Sequence, residues 1–330
     1  MNFLSFFIQA VRTGMSFLLG STGETLTEKS GHLNLGIPGI MCVGAASGCL
    51  AEAMYLTSVG GEAQANKLLI VLIPILVSFL AAMLLGVLYC FLTVTLRANQ
   101  NVTGLALTTL GVGIANYLSK QFSNGLLPFA SATKYFTAKL PFYETMKASP
   151  HAFVQVLGDI FFSYGVLVYL AIIIALIVSF VLTRTRTGLN LRAVGENPAT
   201  ADAAGINVTR YRYLATMAGS GIAGLGGLCY IMDNLNGNWE YTVDAVGWLA
   251  IALVIFTIWR PNIAILGSIV FGGLYIVGNY IIGISFQNKE LIKMLPYVIT
   301  IIVLIFTSFT KKKEIQPPQS LGLSYFREER

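Results

Sequence analysis

Residues 67–97 read KLLIVLIPILVSFLAAMLLGVLYCFLTVTLR, and no charged side chain stands between Lys67 and Arg97. A helix needs about 20 residues to cross the hydrocarbon of a bilayer, so this run is long enough to span. It is one of a series. Uncharged runs also lie between Arg97 and Lys120, Asp159 and Arg184, Arg212 and Asp233, Arg260 and Lys289, and Lys293 and Lys311. Shorter candidates are Ile37 to Leu56, with Glu52 near its end, and Ala245 to Trp259, with Asp244 at the interface. Phe3 to Leu19 is the weakest, because Arg12 interrupts it. The segment lacks a positive stretch ahead of its apolar run, so it reads as a retained first helix rather than a secretory signal.

The composition agrees. Of 330 residues, 55% are hydrophobic and 11% are charged, where a soluble chain carries about 25% charged residues. Mean hydropathy is +0.72. No compact soluble domain hides that much apolar surface, so a soluble enzyme, a disordered chain and a collagen-like chain are excluded. The expectation is an all-α polytopic bundle of about nine transmembrane helices. Residues 1–310 form the membrane domain and residues 311–330 a basic tail. The net charge of +6 sits in short loops, as orientation signals do, and points to no nucleic-acid partner. Cys42, Cys49, Cys90 and Cys229 lie in apolar surroundings without a CxxC pair, which suits small buried hydrophobes. Only His32 and His151 are available as histidines, with no HExxH pattern. No metal, cofactor or catalytic residue is therefore expected.

Lys and Arg set the orientation. The loop 184–212 holds Arg184, Arg186, Arg192, Arg210 and Arg212, and the tail holds Lys311, Lys312, Lys313, Arg327 and Arg330. Both belong in the cytoplasm by the positive-inside rule. Alternation then puts Arg97 and Arg260 inside, and Gln121 to Gly158, Asn234 to Val243 and Ile284 to Leu291 outside. The N-terminus falls outside, or inside if Phe3 to Leu19 turns back before crossing. Within the spans, Gly44 with Gly48, Gly219 with Ala223 and Gly227, Ser220 with Gly224, and Ser268 with Gly272 repeat small residues at four-residue spacing. That pattern lets helix backbones approach closely in lipid.

Three segments ask for more than packing. Gly23 to Gly39 is rich in glycine and polar groups between two apolar helices, with Glu24, Glu28, Lys29, His32 and Asn34 available. Irregular backbone at membrane depth belongs where protein buries it or a cavity borders it. Asn99 to Lys120 places Thr109, Gly113 and Asn116 on one helical stripe. The third segment begins at Thr187. There Asn197 suits an N-cap, Pro198 the first turn, and Gly205 a terminator, which predicts a helix of about two turns in the loop. Such a short helix is marginal alone and is expected to dock on something.

These stretches resemble the inner-membrane permease family of ABC importers that includes the ribose and branched-chain amino-acid permeases. They are most like the subgroup that imports nucleosides with a lipoprotein binding partner. Gly23-Glu24 followed by Glu28 to Gly36 (EKSGHLNLG) looks like that subgroup's "GE…ERxGvLNLGxEG" signature. Pro38 replaces a glutamate there and His32 a small apolar residue. Asn101 to Leu107 (NVTGLAL) looks like its "NqvvsGlaLN" stretch, with Thr108 replacing the final Asn. Thr187-Gly188, Leu191 to Pro198 and Ala203 to Ile206 look like its cytoplasmic coupling motif. Gly247 to Ala252 and Trp259-Arg260-Pro261 resemble a further stretch. The likeness runs from about residue 15 to 310.

The resemblance implies a permease subunit working beside a second, related permease, a separate ATPase and an extracytoplasmic binding lipoprotein, in a bacterial cytoplasmic membrane. It implies that Arg192, Gly195, Glu196, Asn197, Pro198, Ala199, Asp202 and Gly205 meet the ATPase. No GxxxxGK(S/T) run is present, so ATP belongs to another chain and this one is not an enzyme. Uncharged spans suit a neutral, hydrogen-bonding solute, with Glu24, Asn34, Thr109 and Asn116 as pathway candidates. Tyr117 and Trp248 offer faces on which a base or sugar could stack. Nucleosides lead as the solute, with a simple sugar next. An ion-coupled transporter would need titratable groups at mid-span, and by this reading the spans hold Glu52 alone.

Overall fold

The computed structural model describes residues 3–123, 130–239, 243–281, 283, 285–309 and 316–326. Among these the regular structure is helical, with no strand. Eight helices are long and apolar enough to cross a membrane. Six belong to the series α1 (Phe3–Glu28), α2 (Ile37–Ser58), α3 (Lys67–Cys90), α4 (Gln100–Ser123), α8 (Val166–Arg184) and α11 (Val208–Cys229). The other two are α13 (Pro261–Tyr280) and the segment that ends in α15 (Leu295–Phe309). The shorter apolar α12 (Val243–Phe256) lies between the sixth and seventh of these in the chain. Between α4 and α8 lie α5 (Thr133–Phe136), α6 (Phe142–Lys147) and α7 (Ala152–Phe161). The loop after α8 carries α9 (Arg186–Glu196) and α10 (Pro198–Ala203), and α14 (Phe286–Ile292) precedes α15.

Burial sorts the helices. In the most apolar stretch of α2 and α11, 78% and 83% of residues are buried, against 28% for α3 and 11% for the last span. The inner helices carry the small residues and the outer ones carry leucine. Leu68, Leu72, Leu76, Leu80, Leu84 and Leu88 stand exposed along α3 at four-residue spacing, which is one outward-facing apolar stripe of the helix. Inside, the repeats foreseen from sequence are where backbones meet. A Cβ on Gly23 would overlap Gly219, one on Gly44 would overlap Gly224, and one on Gly272 would overlap Ala10. The Gly–Gly crossings bring α11 against α1 and α2, and the third brings α13 against α1.

The first helix corrects the sequence reading. Phe3–Glu28 is one continuous helix of 26 residues at the centre of the bundle. Arg12 does not break it, because its Nε donates to Asp233 Oδ2 at 3.0 Å across from α11. Asn234, next to Asp233, accepts from Thr13 at 2.9 Å and donates to Ser16 at 3.1 Å. Asp233 lies in a π-helical turn, Tyr230–Asn234, that ends α11. Such a turn re-aims side chains. Because α1 runs to Glu28, the spans hold Glu24 and Glu28 as well as Glu52, with Asp233 at the end of a span. This corrects the expectation of Glu52 alone.

The charged residues 311–313, 327 and 330 lie outside the described set. The described segment 316–326 folds back on the bundle. Ser320 donates from its backbone N–H to Gly195 O at 3.0 Å, and Tyr325 donates to Asp202 at 2.8 Å. The Arg97 guanidinium sits 4.8 Å from the Phe326 ring centre. Pro318 and Ser320 are buried.

Candidate functional site

The polar break is shorter than its sequence suggested, since α1 stays helical through Glu28 and α2 starts at Ile37. Between them the chain turns back into the bundle. Gly31 has φ +77, and any side chain there would strike Ser320 of the tail. The Asn34 N–H donates to Glu24 Oε1 at 3.1 Å, one turn back from the end of α1. Pro38 lies against Gly247 of α12, where a Cβ would overlap its Cα. The start of α2 thus lies beside α1 and α12, not beyond their ends. Asn34 Oδ1 then accepts from Gly36 N–H at 2.9 Å, which tightens the re-entry.

Buried side chains fix this turn. Leu33 N–H donates to Gln100 Oε1 at 2.9 Å, and Thr108 donates to Leu35 O at 2.8 Å. The Tyr89 hydroxyl donates to Leu33 O. Trp259 Nε1 donates to the Glu28 carboxylate, which ties the end of α12 to the end of α1. His32 is fully buried between Thr216, 2.9 Å from Nδ1, and Thr93, 2.8 Å from Nε2. Thr93 gives its own proton to Tyr89 O at 2.6 Å. Its oxygen is therefore the acceptor toward His32, so Nε2 carries the hydrogen and Nδ1 accepts from Thr216. Thr93 lies in the π-helical turn Phe91–Thr95 that ends α3.

Burial, reinforced by the charge of Arg212, lowers the His32 pKa from 6.5 to about 3. The folded state therefore refuses a proton that the unfolded chain accepts below pH 6.5. Stability from this group is complete above that pH and is lost as pH falls toward 3, at about 1.4 kcal/mol per unit. Thermal melts should show the wild type losing more stability than His32→Gln between pH 7 and 5. Parallel pH curves for the two proteins would refute the assignment.

The four pathway candidates form two pairs. Glu24 and Asn34 are fully buried inside the subunit. Thr109 and Asn116 stand on the outer side of α4, where Thr109 donates to Leu105 O at 3.1 Å. The structure does not join the pairs in one cavity. The bond from Thr108 to Leu35 O ties α4 to the turn that holds the first pair. A shallow groove runs along α4 over Ala106, Thr109, Leu110, Gly113, Ile114 and Tyr117. Tyr117 is 67% exposed, while Trp248 is half-buried in α12. Small and polar residues on this face contrast with the unbroken leucines of α3. Gly39 and Gly111 bring α2 close behind it.

The loop between α8 and α11 holds more helix than foreseen, since α9 precedes the short helix. Thr185 caps α9 by accepting from Gly188 N–H at 3.1 Å, which the sequence reading missed. Asn197 caps α10 by accepting from Thr200 N–H at 3.0 Å, Pro198 opens the helix, and Gly205 ends it at φ +85. Val194, Ala201 and Val208 form a small core beneath. Arg192, Glu196, Asn197, Ala199 and Gly205 are exposed, while Pro198 and Asp202 are partly so. Gly195 is buried, and a Cβ there would overlap Lys29 O at the turn after α1. One contact therefore links this surface to the re-entrant turn.

In the segment 121–158, residues 124–129 lie outside the described set. Its basic residues mostly face local partners. Lys134 pairs with Glu62, Lys147 lies 2.7 Å from Asp159, and Lys139 sits 3.9 Å from the Tyr143 ring centre.

Residues 6–304 match the family described as "Branched-chain amino acid transport system / permease component". The chain is 33% identical to the nucleoside ABC transporter permease protein NupC of Lactococcus lactis over 290 residues, 86% of each protein. It is 32% identical to the guanosine ABC transporter permease protein NupQ of Bacillus subtilis, over 95% of this chain and 93% of the relative. It is 30% identical to a putative glucose ABC transporter permease protein, TsgC13, of Haloferax volcanii over 96% of each. With an all-helical membrane bundle, a re-entrant turn after its first helix and a capped helix pair at its basic end, the chain belongs to the family of branched-chain amino acid transport system permease components, the ABC importer permeases of nucleoside and sugar type.

Proposed function

We propose that this chain forms half of the membrane pathway of an ATP-driven importer for nucleosides, with the basic end in the cytoplasm. The outer face of α4 carries the reading. Thr109, Gly113 and Asn116 gain nothing from lipid, and in this reading a second permease encloses them. A neutral solute with several hydroxyls meets matched polar groups along such a face and no fixed charge that would hold it too tightly. Two relatives named for nucleoside and guanosine transport support the substrate class. The relative named for glucose keeps the sugar reading as the alternative.

In this reading a binding lipoprotein delivers solute to the end opposite the basic loops. A separate ATPase docks on Arg192, Glu196, Asn197, Pro198, Ala199 and Asp202. Gly195 and Gly205 shape that surface, one by close approach and one by ending α10. Closure of the ATPase moves α9 and α10 as a body, and Gly195 passes the movement to the turn at Lys29 and on toward Glu24 and Asn34. The test is uptake of radiolabelled guanosine, uridine and glucose into cells carrying the complete importer, with a deletion strain as blank. Guanosine and uridine uptake that each competes and glucose does not is the expected result. Glucose uptake without nucleoside uptake would replace the substrate class. Uptake that survives removal of the ATPase would overturn the mechanism.

A further inference from the structure

A cavity of about 580 Å³ opens at the basic end between the end of α3, the loop after α10 and the start of α11. Arg97, Arg210 and Arg212 line it together with Thr93 and Thr209. Asp202 is also part of the lining, with its carboxylate engaged by the Tyr325 hydroxyl at 2.8 Å. Arg212 is only 2% exposed, yet its Nε and Nη2 have no hydrogen-bond partner among the described residues. Among the described residues it forms no ion pair. This sets it apart from the other arginine within the bundle, Arg12, which meets Asp233. A guanidinium keeps its charge when buried and presents a rigid fork of donors. Buried charge without a partner anion is a costly arrangement for a fold to keep. The first turn of the 22-residue α11 adds the positive end of a helix to the same wall.

We infer that this cavity is a binding site for a phosphate group, with Arg212 holding the anion from within and Arg97 and Arg210 closing around it. Planar guanidinium groups match phosphate oxygens in paired hydrogen bonds, and Thr209 supplies a hydroxyl beside them, while the Thr93 hydroxyl stays committed to Tyr89 and His32. The volume falls within the range of small-molecule sites, about 300–1,000 Å³. It admits a phosphate ester, not only a bare ion. The phosphate comes either from the headgroup of an anionic lipid or from a soluble compound. Tyr325 of the tail forms part of the wall, so a bound anion also holds the returning tail against α10.

The test uses the full-length protein with the subunits that stay bound to it. Its melting temperature is measured in phosphatidylcholine vesicles with and without phosphatidylglycerol, and in detergent with inorganic phosphate against chloride of equal ionic strength. Wild type is compared with Arg212→Gln and with Arg210→Gln. The second removes an exposed charge, so it keeps the test open if the buried variant fails to fold. Stabilisation by phosphatidylglycerol alone identifies a lipid headgroup, and stabilisation by phosphate identifies a soluble ligand. Either supports the site if one variant weakens the response about tenfold. No stabilisation by either probe, or both variants responding like the wild type, would overturn it.

Discussion

Arg12→Ala is expected to destabilise the protein by about 3–5 kcal/mol, because it leaves the Asp233 carboxylate buried without its counter-charge. The geometry makes the loss one-sided. The Asp233 side chain is fully buried, whereas that of Arg12 is 23% exposed. Asp233 stands in a π-helical turn and cannot swing to water without unwinding the end of α11. The double variant Arg12→Ala/Asp233→Asn should therefore recover most of the loss, since it removes both charges. Denaturation in mild detergent, followed through the double-mutant cycle, measures this directly. A double variant no better than Arg12→Ala would show that the pair is not what joins the two helices.

Gly23→Val is expected to prevent assembly of the bundle. The Cβ of any residue at 23 falls inside contact distance of the Gly219 carbonyl, and a Cβ at 219 meets Gly23 in return. The obstacle is backbone on both sides, so no flexible side chain yields. Ordinary overpacking costs about 1–3 kcal/mol, and two branched methyls against a rigid carbonyl belong above that range. Gly113→Val is the matched control, because nothing lies within 4 Å of a Cβ at that position. Membrane-extracted protein, judged by monodisperse elution, should fall sharply for Gly23→Val and stay near wild type for Gly113→Val. Equal yields of the two would contradict the packing account.

Much of this was legible in the sequence, for physical reasons that differ by element. Charge-free runs mark spans because a bilayer tolerates little else, so α3, α8 and α13 follow from hydropathy. Small residues at four-residue spacing mark helix crossings, and Gly44 and Gly219 proved to be contact points. Asn197, Pro198 and Gly205 announced α10 because capping is local chemistry. What was hidden depends on partners far apart in the chain. Arg12 looked like a flaw in a span because its partner lies 221 residues away. A signal was present, since a charge inside an apolar run requires an opposite charge and Asp233 closes another such run. Glu24 and Asn34 read as pathway residues by type. Only the fold shows that Glu24 and Asn34 are buried at the turn, that Thr109 is exposed on α4 and that Asn116 is partly so. Nothing local distinguishes the segment 316–326 from a solvated tail. Its order comes from Gly195, Asp202 and Arg97, which only the tertiary structure gathers.

On the proposed reading, solute passes along the outer face of α4. The four native cysteines are buried, which leaves a quiet background for a single reporter thiol, and Gly113 has room for one. The direct measurement is guanosine uptake by a Gly113→Cys importer treated with a bulky methanethiosulfonate, with and without guanosine present during labelling. Uptake should be normal before labelling and blocked after it, and guanosine should slow the labelling. A thiol that labels fully while uptake continues unchanged would place the pathway elsewhere.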